Sequence, residues 1–255
     1  MDKNSTSKRV IEDSAHHEIR SAAASRYSFA PIGVIRSCFR EKFGIPRQPG
    51  LAPLARATLE LLPPYEQPAT VRGLEAFSHV WLVFVFHGVP VGHWRPTVRP
   101  PRLGGNRRLG VFATRSTFRP NPIGLSAVRL EGIHIAQRQV MLHLAGVDLL
   151  DGTPILDIKP YLPYADCLPE ASGGFAAEAP SRLAVEFSPM AAAFCAAQPR
   201  TELRALITQT LEQDPRPAYH DAETIPRRYG MRLYDYEICW EMRDRVAYVI
   251  AISLA

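Results

Sequence analysis

The stretch "VWLVFVFH", residues 80–87, is apolar at every position but the last. A half-buried strand alternates apolar and polar side chains. A strand apolar on both faces is expected to be covered on both. A closed barrel or a tight oligomer would satisfy that pattern.

Working outward, the flanking segments also read as strands. Upstream, "SFAPIGVIRSCF" (28–39) and "ATLELLPP" (57–64) are short β-type runs on either side of "REKFGIPRQPGL" (40–51), a loop with two prolines and two glycines. Residues 72 onward open with a polar turn and a short helical or irregular piece before the apolar run. Downstream, "LSAVRLEGIHIA", "RQVMLHLAGVDLL" and "TPILDIKPYLPY" follow one another with polar turns or Asp-Gly between them. Antiparallel strands in series predict a closed barrel over residues 28–166.

The composition changes at "CLPEASGGFAAEAPS" (167–181), read as a linker. Beyond it, residues 188–214 are helical with a break near Pro199, "DPRPAYH" (214–220) is a loop, and 232–253 form a β-hairpin. The predicted organisation is a polar N-terminal tail (1–27), a β-barrel domain (28–166) and a small α+β domain (180–255). The class is mainly β.

Between the apolar run and the next strand lie two unusual segments. "GHWRPTVRPPRLGGNRRLG" (92–110) is a long basic loop, of the kind that is usually functional or mobile. "VFATRSTFRPNPIGLSAVRL" (111–130) reads as a strand that stops, turns on two prolines and starts again. It places Arg115, Ser116, Thr117, Arg119 and Asn121 between two apolar halves. Prolines hold an irregular backbone rigid without ladder hydrogen bonds, so this loop is expected to present those side chains to one site. From Arg95 to Arg119 there are seven arginines and no acidic residue, within a chain of formal net charge +5. Such a cluster points to phosphate or nucleic acid.

Other classes are disfavoured. Cysteines 38, 167, 195 and 239 form no CxxC pair, which argues against a zinc module or a disulfide framework and suggests reduced thiols in a cytoplasmic protein. His79, His87 and His93 lack Cys or carboxylate partners at ligand spacing, so no metal is expected. No stretch approaches the ~18 apolar residues of a membrane span. There is no G-x-G, so any adenosine cofactor must be held by something other than a Rossmann loop.

The motifs "GVIRS", "IPRQPG", "RGLEAFSHVWLVFVFH", "RPTVRPPRLGGNRRLGVFATRSTFRPNPIGLS", "DLLDGTPILDIKPYLPYAD" and "DPRPAY" together resemble the TsaA/TrmO family, over nearly the whole chain from about residue 28. The resemblance implies a single-sheeted antiparallel β-barrel with a small C-terminal domain, working as a homodimer. It implies S-adenosylmethionine-dependent methylation of N6 of threonylcarbamoyladenosine beside the anticodon (tRNA position 37), chiefly in a threonine tRNA. By resemblance the cofactor contacts fall on Pro46, Arg47 and Gln48, on His87 and Gly88, on Arg115, on Leu125, and on Ala145, Gly146, Val147 and Asp148. Arg115 could pair the cofactor carboxylate bidentately.

Candidates for assisting at the acceptor nitrogen are Asp148, Asp151, Asp157, Lys159 and Asn121; Asp157 and Lys159 share a strand face and could equally be an internal ion pair supporting the barrel. Candidate tRNA contacts are Arg95, Arg99, Arg102, Arg107, Arg108 and Arg119, with Trp94 stacking on an unpaired base, and Arg216 and Tyr219 from the small domain. Two alternatives stay open: a non-catalytic RNA-binding protein that retains a nucleoside pocket, and a methyltransferase of the same fold acting on a small molecule.

Overall fold

The computed structural model describes residues 27–90, 92–137, 139–216 and 227–255. The first eight strands in chain order are β1 (Gly33–Ser37), β2 (Arg56–Leu61), β3 (His79–Val85), β4 (Thr97–Val98), β5 (Leu109–Gly110), β6 (Ile123–Ala136), β7 (Gln139–Ala145) and β8 (Pro154–Pro160). All but β4 and β5 close into one barrel, in the order β1-β2-β7-β6-β3-β8, and every neighbouring pair is antiparallel. Closure leaves this sheet no free edge.

Alternation along each strand fills the interior. Ile35, Leu59, Leu82, Leu142, Leu144 and Ile155 are wholly buried. The doubly apolar run is β3, and its two faces differ. Val80, Leu82 and Phe84 point inward and are buried, whereas Trp81, Val83 and Val85 are only half covered. The expectation of cover on both faces is met on the inner face alone within one chain. Phe84 sets the spacing of β3 and β6: a Cβ at Gly124 would lie 2.2 Å from the Phe84 ring. Glycine is therefore required there by close approach of the ring, not by an unusual backbone angle.

The basic segment 92–110 is a small hairpin rather than a plain loop, since Thr97–Val98 pair with Gly110–Leu109. After the barrel come a four-residue helix α1 (Pro163–Asp166), β9 (Ala184–Phe187), α2 (Pro189–Ala196), α3 (Leu203–Leu211), β10 (Arg228–Leu233), β11 (Tyr236–Arg243) and β12 (Val246–Leu254). The helical stretch breaks between Ala196 and Leu203 as expected. Ser188 caps α2, its hydroxyl accepting from the Ala191 N–H at 3.0 Å, with Pro189 in the first turn. The sheet has four strands, ordered β10-β11-β12-β9, with β9 parallel to β12. The sequence reading had only the β11–β12 hairpin. It missed β9 because four residues after a Pro/Ala-rich run carry little pattern.

Residues Pro31–Ala255 form one compact body, and a single hydrophobic core runs through the barrel and the four-stranded sheet. Phe39 bridges Leu233, both wholly buried. The Tyr234 N–H donates to the Cys38 carbonyl at 2.7 Å, and the Gln209 side chain on α3 accepts from the Leu54 N–H at 2.9 Å. Of the segment ending at Ala30, Tyr27–Ala30 are described; they are exposed and lack regular structure. No described helix is long and apolar enough to cross a membrane.

Gly124→Ala is expected to lower unfolding stability by about 1–3 kcal/mol, because the added methyl must displace a buried ring. Urea titration measures this; an unchanged midpoint would show that Phe84 does not fix the β3–β6 spacing.

Candidate active site

The segment 111–122 leaves the sheet between β5 and β6, and its own hydroxyls satisfy its backbone. Thr114 Oγ1 donates to the Val111 carbonyl at 2.9 Å and accepts from the Ser116 N–H at 3.3 Å. Ser116 Oγ accepts from the Phe118 N–H at 3.3 Å. These local side-chain bonds replace a strand ladder. At the end of the segment the Pro122 carbonyl accepts from the Phe86 N–H at 2.7 Å, tying it to the chain just beyond β3. Much of the polar content of this stretch is therefore spent on shaping the loop.

The shaped loop walls a cavity of about 520 Å³ at the barrel end. Four segments meet there: Lys42 to Gln48, the end of β3 through Val89, the loop with Thr114, Arg115, Thr117 and Arg119, and the turn after β7 with Asp148 to Leu150. Ile123, Gly124 and Leu125 at the start of β6 complete it. The segments are tied across the opening. Arg115 donates to the Gln48 side-chain oxygen. Lys42 Nζ donates to the Gly88 carbonyl at 2.5 Å. The Gly50 N–H donates to the Gly146 carbonyl at 2.8 Å, and Gly146, at φ +68°, donates to the Ala55 carbonyl at 2.9 Å.

Among the cofactor candidates, Pro46, Arg47, Gln48, His87, Gly88, Arg115, Leu125 and Asp148 are cavity walls. Ala145, Gly146 and Val147 are buried behind them and anchor the 46–55 loop. The acceptor-side candidates separate. Asp148 is half-buried and faces the cavity. Asp157 and Lys159 pair with each other at 2.8 Å with both side chains largely exposed, and neither lines the cavity. They form an ion pair, but on the exposed surface and not inside the barrel. Asn121 is exposed, its carbonyl receiving the Ile123 N–H at 2.7 Å. Asp151 is committed to the Ser37 N–H at 2.8 Å and to Arg40 at 2.5 Å.

The RNA candidates divide similarly. Arg95, Arg99, Arg102, Arg107 and Arg108 are exposed on the basic hairpin and its flanks. Arg119 is half-buried and lines the cavity. Arg216 is mostly buried and grips Asp214 bidentately at 2.8 and 2.7 Å, an arrangement that leaves its fork engaged within the chain. Tyr219 lies outside the described residues.

Sequence reasoning missed Ser126. It is wholly buried on β6 and donates to Asp148 Oδ1 at 2.5 Å. The available signal was a lone hydroxyl among the apolar inward positions of a strand. Burial pushes the Asp148 carboxyl up from 3.8 to about 6, while the Ser126 hydrogen bond and the Arg115 charge pull the other way. It is thus a largely desolvated hydrogen-bond acceptor, with Arg115 close enough to act weakly on its charge. Among the described residues no group of three or more His, Cys, Asp or Glu is placed to hold a metal.

An adenosine bearing an amino-acid chain fits this donor set. The apolar surfaces of Trp81, Phe84, Ile123 and Leu125 suit a purine, and Arg115 suits a carboxylate. The chain matches the family model for the tRNA-methyltransferase O N-terminal domain over residues 34–167, and the model for the TrmO C-terminal domain over 180–255.

The chain belongs to the tRNA-methyltransferase O family.

It is 50% identical to the tRNA (adenine(37)-N6)-methyltransferase of Escherichia coli over 90% of this chain and 99% of that one. It is 56% identical to a Pseudomonas aeruginosa protein named a putative S-adenosylmethionine-dependent methyltransferase, over 84% and 92% of the two chains. The crystal structure of TrmO from P. aeruginosa superimposes with TM-score 0.73 at 46% identity, covering 91% of this chain and 98% of that one. The shared fold and both matched regions agree with the barrel and the small sheet described above.

The raised Asp148 carboxyl carries a stability signature. The folded chain holds this proton more tightly than the unfolded chain, so ionisation costs stability. The cost is absent below pH about 4, grows up to pH about 6 and is complete above it. Asp148→Asn cannot ionise. Its stability relative to the native chain should therefore rise between those pH values and then level off, as read by urea unfolding at each pH. A difference that stays flat throughout would place Asp148 in a water-like environment.

Proposed function

We propose that this chain transfers a methyl group from S-adenosylmethionine to N6 of the threonylcarbamoyl-modified adenosine at tRNA position 37. Its place in the family and its near full-length likeness to a named tRNA (adenine(37)-N6)-methyltransferase support the reaction. The observation that carries the reading is the cavity itself, where Arg115 and Asp148 converge on an apolar chamber beneath a basic rim. In this assignment Gln48 orients Arg115 toward the cofactor carboxylate, and Pro46, Arg47, His87, Gly88 and Leu125 enclose the rest.

S-adenosylmethionine supplies the electrophilic methyl group. The residues of the chain supply orientation, exclusion of water and a proton acceptor. Trp81, Phe84, Ile123 and Leu125 give the chamber apolar walls; once a second copy covers their exposed side, water is excluded and every polar contact inside is strengthened. An acyl substituent on N6 draws the nitrogen lone pair away but makes its proton more acidic. A carboxylate with a value near 6 can accept that proton at neutral pH. Asp148 is assigned that role, held by Ser126.

The arginines at 95, 99, 102, 107 and 108 are assigned to tRNA phosphates, which makes binding fall steeply with salt. Threonine tRNA is the proposed main substrate and the cytoplasm the proposed compartment. A homodimer completes the reading: Ile123 and Leu125 are 42% and 57% exposed beside the half-covered Trp81, Val83 and Val85, an apolar strip that a second copy would cover.

The test is transfer of labelled methyl from S-adenosylmethionine into bulk tRNA. Arg115→Ala is expected to raise KM for S-adenosylmethionine about 10- to 100-fold, the effect of losing a charge-assisted contact of about 1.5–3 kcal/mol. Unlabelled tRNA with the wild-type chain would refute the assignment. An unchanged KM in the variant would refute the role of Arg115.

A further inference from the structure

Phe112 is 76% exposed, although it sits in a rigid place. It lies in the 3₁₀ turn Val111–Ala113, whose first residue is buried and whose end is held by the Thr114 N–H and hydroxyl on the Val111 carbonyl. One face of the ring is backed by Arg119, whose guanidinium carbon is 5.8 Å from the ring centroid. That guanidinium is itself fixed, donating to the Thr114 carbonyl at 2.7 Å and the Val111 carbonyl at 3.4 Å. Nearby in the same segment, Arg95 lies 5.3 Å over Phe118, and the Arg95 N–H donates to the Phe118 carbonyl at 3.2 Å. Thr114 and Arg119 are also cavity walls, so Phe112 stands at the rim of the chamber.

A preorganised aromatic ring among arginines matches the chemistry of an unpaired nucleobase. The π-face takes the base and the surrounding cations take the flanking phosphates. The absence of any acidic residue from Arg95 to Arg119 favours a polyanion over a basic or apolar partner, and the exposed ring among these cations favours a nucleic acid over an acidic peptide, which brings no planar base to stack. From this geometry we infer that Phe112, backed by Arg119, is a stacking platform for the anticodon-loop base that neighbours the acceptor adenosine. The platform holds the loop open while the acceptor enters the cavity. This inference rests on the tRNA reading above.

The experiment uses an anticodon stem-loop RNA with 2-aminopurine placed in turn at each position flanking the acceptor. With the wild-type chain, one of the two positions should be quenched on binding. Phe112→Ala should abolish that quenching and raise KM for the RNA roughly tenfold, with the affinity for S-adenosylmethionine unchanged, and Phe112→Trp should restore both. Quenching and KM unchanged in Phe112→Ala would overturn the platform. So would a variant that changes sedimentation and cofactor affinity together, which would assign the ring to contact between copies. Quenching needs no turnover, so a wild-type chain that quenches yet transfers no methyl would count against the functional reading and leave the platform standing.

Discussion

The packing of the Phe84 ring against Gly124 is the contact on which the rest of the molecule depends. It brings β3 and β6 together, and β3 pairs on its other side with β8, so it fixes the spacing of one wall of the barrel. The same contact sets where β6 begins. The irregular segment 111–122 feeds directly into that point, and the chain beyond β3 is tied to it through Phe86 and Pro122. A shift of the ring would move the floor of the cavity and the loop above it together.

Closure also explains why the site lies where it does. A six-stranded barrel has room for side chains and little else, and this one is filled with aliphatic groups. A ligand must therefore sit at the end of the barrel, among loops. The turn after β7 delivers Asp148, and the 42–50 loop delivers Arg47 and Gln48. The small sheet and its helices support that loop from behind, with α3 holding the Leu54 N–H through Gln209 and the 214–216 turn locked by its own ion pair. The C-terminal part is thus part of the scaffold of the site as well as a surface near it.

Several parts of this arrangement were legible in the sequence, each for a physical reason. The continuous apolar run at 80–86 announced a strand, although only its inner face is buried within one chain, and serial β segments with turns announced the barrel. The Pro-rich polar stretch after Val111 announced a shaped loop, because prolines and hydroxyls can define a backbone without a ladder. Other parts were illegible for equally physical reasons. The partner of Ser126 is 22 residues away and meets it only when the barrel closes. Asp157 and Lys159 carry the same alternation whether they face a cavity or solvent, and only the register decided. Arg216 looked like any basic loop residue until Asp214 was seen to hold it. The β9 strand is specified by its parallel pairing with β12, a long-range contact that four residues cannot encode locally.

The most direct test of the account is a nucleoside analysis of tRNA after reaction with the chain and labelled S-adenosylmethionine. Two substrates should be compared, one carrying threonylcarbamoyladenosine at position 37 and one with plain adenosine there. The account predicts label only in the first, on N6 of the modified nucleoside, because the acyl group acidifies the proton that Asp148 is proposed to accept. Label in both at equal rate would contradict it, and would show that the cavity does not depend on the modification at all.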